Sequence, residues 1–265
     1  MHRACLLFAL PALLAAAQPA TRDMSLATPD GFVLKGTLTV PAQRGPRPVV
    51  ILAHSFRSDR SSWKPLVADL NARGIATLAL DLRGHGLSTL KGGVPLAVTE
   101  DFKASSAAVG FDRIPSDLAQ AAQWVRKQPR IDGRRLGLAG ASVGAYSVLI
   151  AAPQVHPVAV LALSPAGGWG EAPEARAARA VEEAKAAVFV LASADDASTL
   201  PTAGALKGIL GVYAQTAPGT AHGEAFLPAF TDTLGGWFGE YLTRHAPAAR
   251  PAKGGAVQVP SEEVK

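Results

Sequence analysis

The sequence predicts an α/β fold in which a mostly parallel, twisted sheet carries helices on both faces and begins with an antiparallel hairpin. Three observations support this prediction. Short apolar runs alternate with longer segments of helical character along most of the chain. The run at residues 49–53 is continuously apolar, which is typical of a strand covered on both faces. At residues 140–144, a Gly-Ala-Ser-Val-Gly turn separates an apolar run from an Ala- and Leu-rich segment.

The N-terminal segment, residues 1–17, has the parts of a secretory signal peptide. A basic start precedes an apolar run at 6–14, and three alanines follow at 15–17. The segment is too short to span a membrane stably, and it has no polar face, which argues against a buried first helix. We therefore expect cleavage near Ala17 and a periplasmic or secreted protein. Cleavage would remove Cys5, the only cysteine, so the mature chain could not be a cysteine enzyme.

The full chain has 265 residues, of which 48% are hydrophobic, and the part that remains after cleavage is long enough to build one large core without disulfides, so it fits one domain. We expect this domain at residues 22–245, with a short cap segment at 165–186 and a disordered tail at 246–265. The net charge of +5 comes from scattered basic residues, which does not favour a nucleic-acid partner. No further apolar run is long enough for a membrane helix, and the oligomeric state is left open.

The elements are expected in the following order. A Thr-Pro-Asp-Gly turn at 28–31 predicts the opening hairpin. Six further strands are expected at residues 49–53, 75–80, 136–139, 158–163, 187–192 and 209–215. Helices are expected at residues 63–73, 114–128, 143–152, 171–186 and 224–245. Pro153 is expected to end the third of these helices. Residues 89–111 show little periodicity and are expected to form a long irregular connection.

The apex of the turn at 140–144 is Ser142. A strand-to-helix turn this tight brings backbones into contact, so the residues two positions before and after the apex must have little or no side chain. Gly140 and Gly144 meet that requirement. A Gly-x-Ser-x-Gly pattern can arise by chance in a glycine-rich chain, but the strand before it and the helix after it favour a nucleophile.

A serine nucleophile needs a base within hydrogen-bond reach, and that base must be oriented by a carboxylate. In this architecture the order along the chain is serine, acid, histidine. Three histidines follow Ser142. His156 precedes every candidate acid, and His245 ends the last helix, where a cation favours the helix dipole. His222 lies in a loop between the last strand and the last helix, and we predict that it is the base.

Two aspartates, Asp195 and Asp196, are the only ones between Ser142 and His222, and they directly follow the strand at 187–192. The glutamates of that interval fall mostly in a predicted helix and are expected on its solvated face. One aspartate is expected to orient His222, and the other is expected to point toward solvent or to cap the next helix, in the segment beginning at Ala197. The residues alone leave the choice open.

Together these features resemble the α/β-hydrolase superfamily, in its dienelactone-hydrolase and acyl-esterase branch, over about residues 24–245. The resemblance rests on the turn around Ser142, the aspartate pair, the Pro-Gly-Thr-Ala-His-Gly loop at 218–223, and Asp-Leu-Arg-Gly-His-Gly-Leu-Ser at 81–88. It implies the α/β-hydrolase fold and a serine carboxylic ester hydrolase that forms an acyl-enzyme without a cofactor. The short cap favours a small ester or lactone as substrate.

The resemblance also implies the other site residues. Members of the branch usually place the acid three residues after a small residue that ends the strand, which is Asp196 counted from Ser193. The oxyanion hole would use the backbone N–H groups of Val143 and Phe56, and Ser55 stands where the family commonly has glycine.

Two further histidines, His54 and His85, are expected to be structural hydrogen-bonders. They do not cluster with other ligands, so no metal site is expected. An amidase or peptidase with the same triad, and a non-catalytic binding protein on the same fold, are the alternative functions.

Overall fold

The computed structural model of the chain describes residues 18–170 and 172–243. The predicted signal peptide at 1–17 and the predicted tail at 246–265 lie outside the described residues. In chain order the strands of the described part are β1 (Ala20–Ala27), β2 (Val33–Val40), β3 (Arg47–Ala53), β4 (Ala76–Asp81), β5 (Leu90–Lys91), β6 (Val94–Pro95), β7 (Ile131–Ala141), β8 (Ala159–Leu163), β9 (Ala187–Ser193) and β10 (Val212–Ala217). They form an eight-stranded sheet in the order β1-β2-β4-β3-β7-β8-β9-β10, and β5 pairs with β6 in a separate two-stranded sheet.

The predicted fold class is confirmed, because β4, β3, β7, β8, β9 and β10 are parallel and only β2 of the β1–β2 hairpin runs against them, pairing antiparallel with both β1 and β4. The helices are α1 (Lys64–Ala72), α2 (Phe102–Val109), α3 (Ile114–Arg126), α4 (Val143–Val155), α5 (Pro173–Ala184), α6 (Leu200–Leu206) and α7 (Leu227–Thr243). Since parallel strands end at the same edge, the loops after these strands meet at one side of the sheet.

Residues 49–53 of strand β3 show why the covered part of a central strand is apolar. Val50 and Leu52 lie in the apolar cluster formed with α1 and α7, whereas Val49 and Ile51 lie in the cluster formed with α3 and α4. Successive side chains of a strand point to opposite faces, so a strand covered on both faces has no polar position.

The connection at 89–111 is more regular than expected. It holds the β5–β6 pair and the eight-residue helix α2, which begins after Asp101, whose carboxylate accepts the Ala104 N–H at 2.9 Å, and ends at Gly110 with φ +75°. The expectation of an irregular connection was wrong there. Only Ser105 and Val109 of α2 are buried, so the helix leaves almost no apolar period in the sequence.

Pro153 does not end α4, which continues to Val155 and closes at His156 with φ +52°. A proline in the last turn costs little there, because it removes only one intrahelical hydrogen bond close to the helix end. The expected terminal helix begins with a 3₁₀ turn, Gly223–Phe226, before α7, and β10 ends two residues later than expected. A helix was expected after the aspartate pair without stated bounds, and α6 is that helix.

Candidate active site

Ser142 lies between the end of β7 and the start of α4, with φ +53° and ψ −118°. This conformation is rare for an L residue and costs about 1–3 kcal/mol, so the surroundings must hold it in place. The Ser142 N–H donates to the Leu163 carbonyl at 2.9 Å, and its own carbonyl accepts the Tyr146 N–H at 3.0 Å. The serine is only partly buried, which leaves its hydroxyl accessible at the carboxyl edge of the sheet.

The glycines on either side of Ser142 are required by close backbone contacts. A Cβ added to Gly140 would lie 2.3 Å from the Gly144 carbonyl oxygen, and one added to Gly144 would lie 2.2 Å from the Ala53 carbonyl oxygen. Both distances are far below van der Waals contact. The start of α4 therefore packs directly on the loop that follows β3, which brings Val143 close to the segment of Phe56.

The structure brings Asp196 and His222 together. His222 Nδ1 lies 2.6 Å from Asp196 Oδ2, and the other carboxylate oxygen accepts the Ser198 hydroxyl at 2.6 Å. A carboxylate only accepts hydrogen bonds, so Nδ1 carries the proton and Nε2 is left with a lone pair. Burial raises the pKa of Asp196, but the hydrogen bonds from Ser198 and His222 outweigh it and hold the pKa below its usual value.

Asp195 is not in this arrangement. Its side chain is exposed, and its backbone N–H donates to the Gly219 carbonyl at 3.1 Å. Of the two roles expected for it, exposure to solvent is the one observed, since the N-cap of α6 is Thr199. The backbone bond instead ties the end of β9 to the loop that contains His222.

The loop around His222 is fastened to the sheet by two buried serines. The Ser193 hydroxyl donates to the Ala221 carbonyl at 2.6 Å, and the Gly223 N–H donates to Ser164 Oγ at 3.0 Å. A Cβ on Gly223 would come within 3.4 Å of the Ala141 side chain, so the residue after His222 lies beside the residue before Ser142. Among the described residues, the Ser142 hydroxyl makes no hydrogen bond to His222. Such bonds are often long without substrate.

The loop after β3 presents the peptide that joins Ser55 to Phe56. The Ser55 carbonyl accepts hydrogen bonds from His54 Nδ1 at 2.7 Å and from the Ser58 N–H at 3.2 Å. The described residues contain no cis peptide, and the N–H and C=O of a trans peptide point in opposite directions. Holding the Ser55 carbonyl therefore also sets the direction of the Phe56 N–H.

His54 is buried and has a hydrogen bond at each ring nitrogen, since Nε2 accepts the Leu82 N–H at 3.0 Å. That acceptor role requires the tautomer in which Nδ1 carries the proton. Burial lowers the pKa of His54, which favours this neutral form. Both nitrogens are engaged, so His54 acts as a structural hydrogen-bonder.

His85 packs against the rings of His54, Phe56 and Phe111. Its Nδ1 lies 2.9 Å from the Arg83 carbonyl, and burial lowers the pKa of His85 to about 4. His85 is therefore neutral near pH 7. Its contacts fit the structural role expected for it.

The segment at 81–88 is hydrogen-bonded to several neighbouring elements. The Asp81 carboxylate accepts the backbone N–H groups of Arg60 and Leu87 at 2.9 Å each. Arg83 is 1% exposed and forms two hydrogen bonds with Asp117, at 2.7 and 2.8 Å. It also pairs with Asp30 at 2.9 Å, so the segment connects the hairpin to α3.

One acidic residue near the site escaped the sequence interpretation. Glu224 was expected to begin the terminal helix, whereas its carboxylate reaches Ser55 in the loop after β3. The signal was Ser55 at a position where the resemblance implies glycine, because a partly buried hydroxyl needs a hydrogen-bond partner.

Among residues 18–170 and 172–243, no group of three or more metal-ligating side chains is arranged to hold a metal ion. In the same residues, no helix is long and apolar enough to cross a membrane.

Known proteins resemble parts of this sequence. An uncharacterized protein of Mycobacterium tuberculosis strain H37Rv is 29% identical over 147 residues, which are 56% of this chain and 46% of that protein. An uncharacterized 31.7 kDa protein from the traX-finO intergenic region of Escherichia coli is 33% identical over 121 residues, 44% of this chain and 37% of that protein. The chain thus spans less than half the length of these curated relatives.

Solved structures share the fold at low sequence identity. Dienelactone hydrolase from Anabaena variabilis has a TM-score of 0.63 at 22% identity and covers 85% of this chain and 100% of its own. Acetyl xylan esterase 1 from Thermoanaerobacterium has a TM-score of 0.65 at 18% identity, covering 87% and 86%. Est1E from Butyrivibrio proteoclasticus, solved with ferulic acid bound, has a TM-score of 0.62 at 19% identity, covering 83% and 100%.

A family model described as Hydrolase_4, serine aminopeptidase S33, matches residues 44–202. The match runs from the start of β3 to α6 and includes Ser142 and Asp196. With this match and the parallel sheet of the α/β hydrolases, the chain belongs to the serine aminopeptidase S33 family of the α/β-hydrolase superfamily.

Proposed function

We propose that this protein is a serine hydrolase that cleaves small carboxylic esters through an acyl-enzyme on Ser142. The observation that carries the proposal is the 2.6 Å hydrogen bond between Asp196 and His222, in loops beside the strained turn of Ser142. A carboxylate that holds Nδ1–H leaves Nε2 as the base, which is what a serine nucleophile needs. The His222 side chain is 39% exposed and that of Asp196 12%, so substrate can reach the base while the acid is shielded.

In the first step, Ser142 Oγ forms a bond to the ester carbonyl carbon while His222 Nε2 takes the hydroxyl proton. The carbonyl oxygen becomes an oxyanion and accepts hydrogen bonds from the N–H groups of Phe56 and Val143. Asp196 stabilises the resulting imidazolium through Nδ1. The bond from carbon to the alcohol oxygen then breaks, and His222 returns its proton to the leaving alkoxide.

The second half-reaction repeats this chemistry with water. His222 Nε2 takes a proton from a water molecule whose oxygen attacks the acyl carbon. The ester bond to Ser142 then breaks, the serine oxygen regains the proton from His222, and the carboxylic acid leaves. Side chains and backbone N–H groups of this chain carry every step.

The size of the acyl group is set, we propose, by Phe102. Its ring contacts the Phe56 ring edge-to-face at 5.1 Å and lies against Gly167, where a Cβ would come within 2.8 Å of the ring. Gly167 follows Ala166, whose N–H donates to the Ser142 carbonyl at 3.4 Å. A half-buried ring against the oxyanion loop and the segment bonded to Ser142 would form one wall of the acyl site and leave room only for a short acyl group. A dienelactone hydrolase and an acetyl xylan esterase among the structural neighbours fit this substrate class.

A peptidase or amidase activity is the second candidate, and the description of the family as serine aminopeptidases favours it. The same triad can cleave amides. A non-catalytic binding role would not require a carboxylate hydrogen-bonded to a histidine in a loop beside a strained, partly buried serine. Export, with residues 1–17 as the signal peptide, is part of the proposal and rests on the sequence.

A substrate series tests the proposal. Purified protein is assayed with p-nitrophenyl esters from acetate to octanoate and with aminoacyl p-nitroanilides. We expect hydrolysis of the esters, fastest for the shortest acyl groups, and slow or undetectable release from the anilides. A preference for the anilides would favour the aminopeptidase alternative. The absence of turnover on both series would contradict the proposal.

A further inference from the structure

Glu224 lies two residues after His222, and its carboxylate accepts three hydrogen bonds from a distant part of the chain. One carboxylate oxygen accepts the Ser55 N–H at 2.9 Å and the Ser62 hydroxyl at 3.0 Å. The other oxygen accepts the Ser55 hydroxyl. Ser55 follows β3 and Ser62 precedes α1. A single side chain beside His222 therefore holds the loop after β3 and the entry to α1.

These bonds act on the residue that precedes the proposed oxyanion donor. Ser55 is held at its N–H and its hydroxyl by Glu224, and at its carbonyl by His54 and the Ser58 N–H. A residue bonded on all of these groups cannot rotate freely, and the next peptide is planar. The direction of the Phe56 N–H is therefore determined by groups that include Glu224.

Ser55 and Gly223 fit this arrangement together. A glycine at position 55 could not supply the hydroxyl that bonds the second carboxylate oxygen. Gly223 has φ +58°, and a Cβ on it would lie 2.5 Å from Ser55 Oγ. The serine in the loop after β3, the glycine after His222 and the carboxylate that follows thus form one interlocked contact.

We propose that Glu224 is a positioning residue that fixes the oxyanion N–H of Phe56 relative to the base His222. This inference rests on the proposed hydrolase function. Glu224 acts through Ser55, which supplies two of the three hydrogen-bond donors to its carboxylate, and Ser62 supplies the third. The N–H that Glu224 positions stabilises the charge that develops on the substrate oxygen in the transition state. Loss of Glu224 therefore lowers kcat and leaves KM nearly unchanged.

The test compares Glu224→Ala with Glu224→Gln. The alanine variant loses all three hydrogen bonds, and we expect kcat to fall about 10- to 100-fold, less than the 10²- to 10³-fold typical of a lost donor. In the glutamine variant, the amide oxygen can accept from Ser55 N–H and Ser62, while the amide NH₂ donates to Ser55 Oγ. We therefore expect kcat of Glu224→Gln to recover to within roughly 5-fold of wild type.

Asp132→Ala is the matched control. The Asp132 carboxylate accepts three hydrogen bonds, from the Arg134 N–H at 3.2 Å and from the side chains of Arg134 and Arg135 at 3.2 and 2.9 Å. It lies near the amino end of β7, at the opposite end of the strand from Ser142. This variant loses a comparable set of bonds, and we expect its kcat to stay at the wild-type value.

Hydrogen exchange measured by mass spectrometry reports on the contact of Glu224 with Ser55 and Ser62 and needs no substrate. In Glu224→Ala we expect faster exchange in peptides covering 54–63 and 218–226, and no such change in Asp132→Ala. Unchanged exchange there, or an unchanged kcat despite faster exchange, would overturn the role of Glu224. A fall in kcat that Glu224→Gln does not recover would also overturn it. Wild-type protein that hydrolyses no ester would instead overturn the proposed function, and the exchange data separate the two failures.

Discussion

Asp196 and His222, 26 residues apart, are joined by a 2.6 Å hydrogen bond, whereas the neighbouring Asp195 is exposed and bonds the same loop only through its backbone N–H. A carboxylate bonded to Nδ1 selects the tautomer whose Nε2 can accept a proton. The two adjacent aspartates therefore have different roles, although they are chemically identical.

Asp196→Asn is expected to lower turnover by about 10⁴-fold, because an amide stabilises the wrong imidazole tautomer and cannot balance the imidazolium charge. Asp195→Asn is the control and should keep near-normal turnover. Steady-state kcat on a short p-nitrophenyl ester measures both. The reverse pattern would transfer the role to Asp195, and two active variants would exclude both aspartates as the triad acid.

Phe102→Ala is expected to widen the acyl site. The ratio of kcat/KM for the octanoate ester to that for the acetate ester should rise by roughly 10-fold, because removing an aromatic wall changes the binding of several methylene groups. Leu210→Ala is a suitable control, since Leu210 is 45% exposed and lies between α6 and β10. A chain-length profile identical to the wild type would show that Phe102 does not bound the site.

His85 makes stability depend on pH. Its pKa is about 4 in the folded protein and 6.5 in an unfolded chain, so the unfolded state binds more protons between these values. The free energy of unfolding should therefore fall by about 3 kcal/mol as pH drops from 6.5 to 4. Buried His54 has a lowered pKa and contributes with the same sign.

Urea unfolding at several pH values measures this effect. His85→Gln cannot titrate at position 85, so its stability should depend less steeply on pH in this window than that of the wild type. Equal slopes for the two proteins would mean that His85 is not the titrating group.

The strands and the turn at Ser142 were predictable because their signals are local. Apolar runs mark strands covered on both faces, and the two glycines around Ser142 are required by close backbone contacts within the turn and with β3. Helix α2 was missed because it buries only two residues, and the continuation of α4 past Pro153 depends on how close that residue is to the helix end.

The part of the site that escaped prediction depends on contacts between distant segments. The bond between Ser55 and Glu224 joins residues 169 positions apart, and no periodicity in the sequence relates them. The choice between Asp195 and Asp196 likewise depends on the direction of the backbone after β9. The two residues have the same side chain, so their residue type does not determine which of them reaches His222. Both are properties of the folded sheet edge.

Export can be tested on protein secreted by a bacterial host. We expect mass spectrometry to find an N-terminus between Gln18 and Thr21, because signal peptidases cleave after small residues such as those at 15–17. Exported protein that keeps Met1 would contradict the signal-peptide interpretation.

The nucleophile is the central claim, and a fluorophosphonate probe tests it most directly, because the probe forms a covalent bond with an activated serine. After labelling, peptide mass spectrometry should locate the adduct on Ser142, and Ser142→Ala should be unlabelled and lose on the order of 10⁴-fold or more in ester turnover with its thermal melting unchanged. An adduct on another serine, or a Ser142→Ala variant that keeps more than about a tenth of wild-type turnover, would contradict the account.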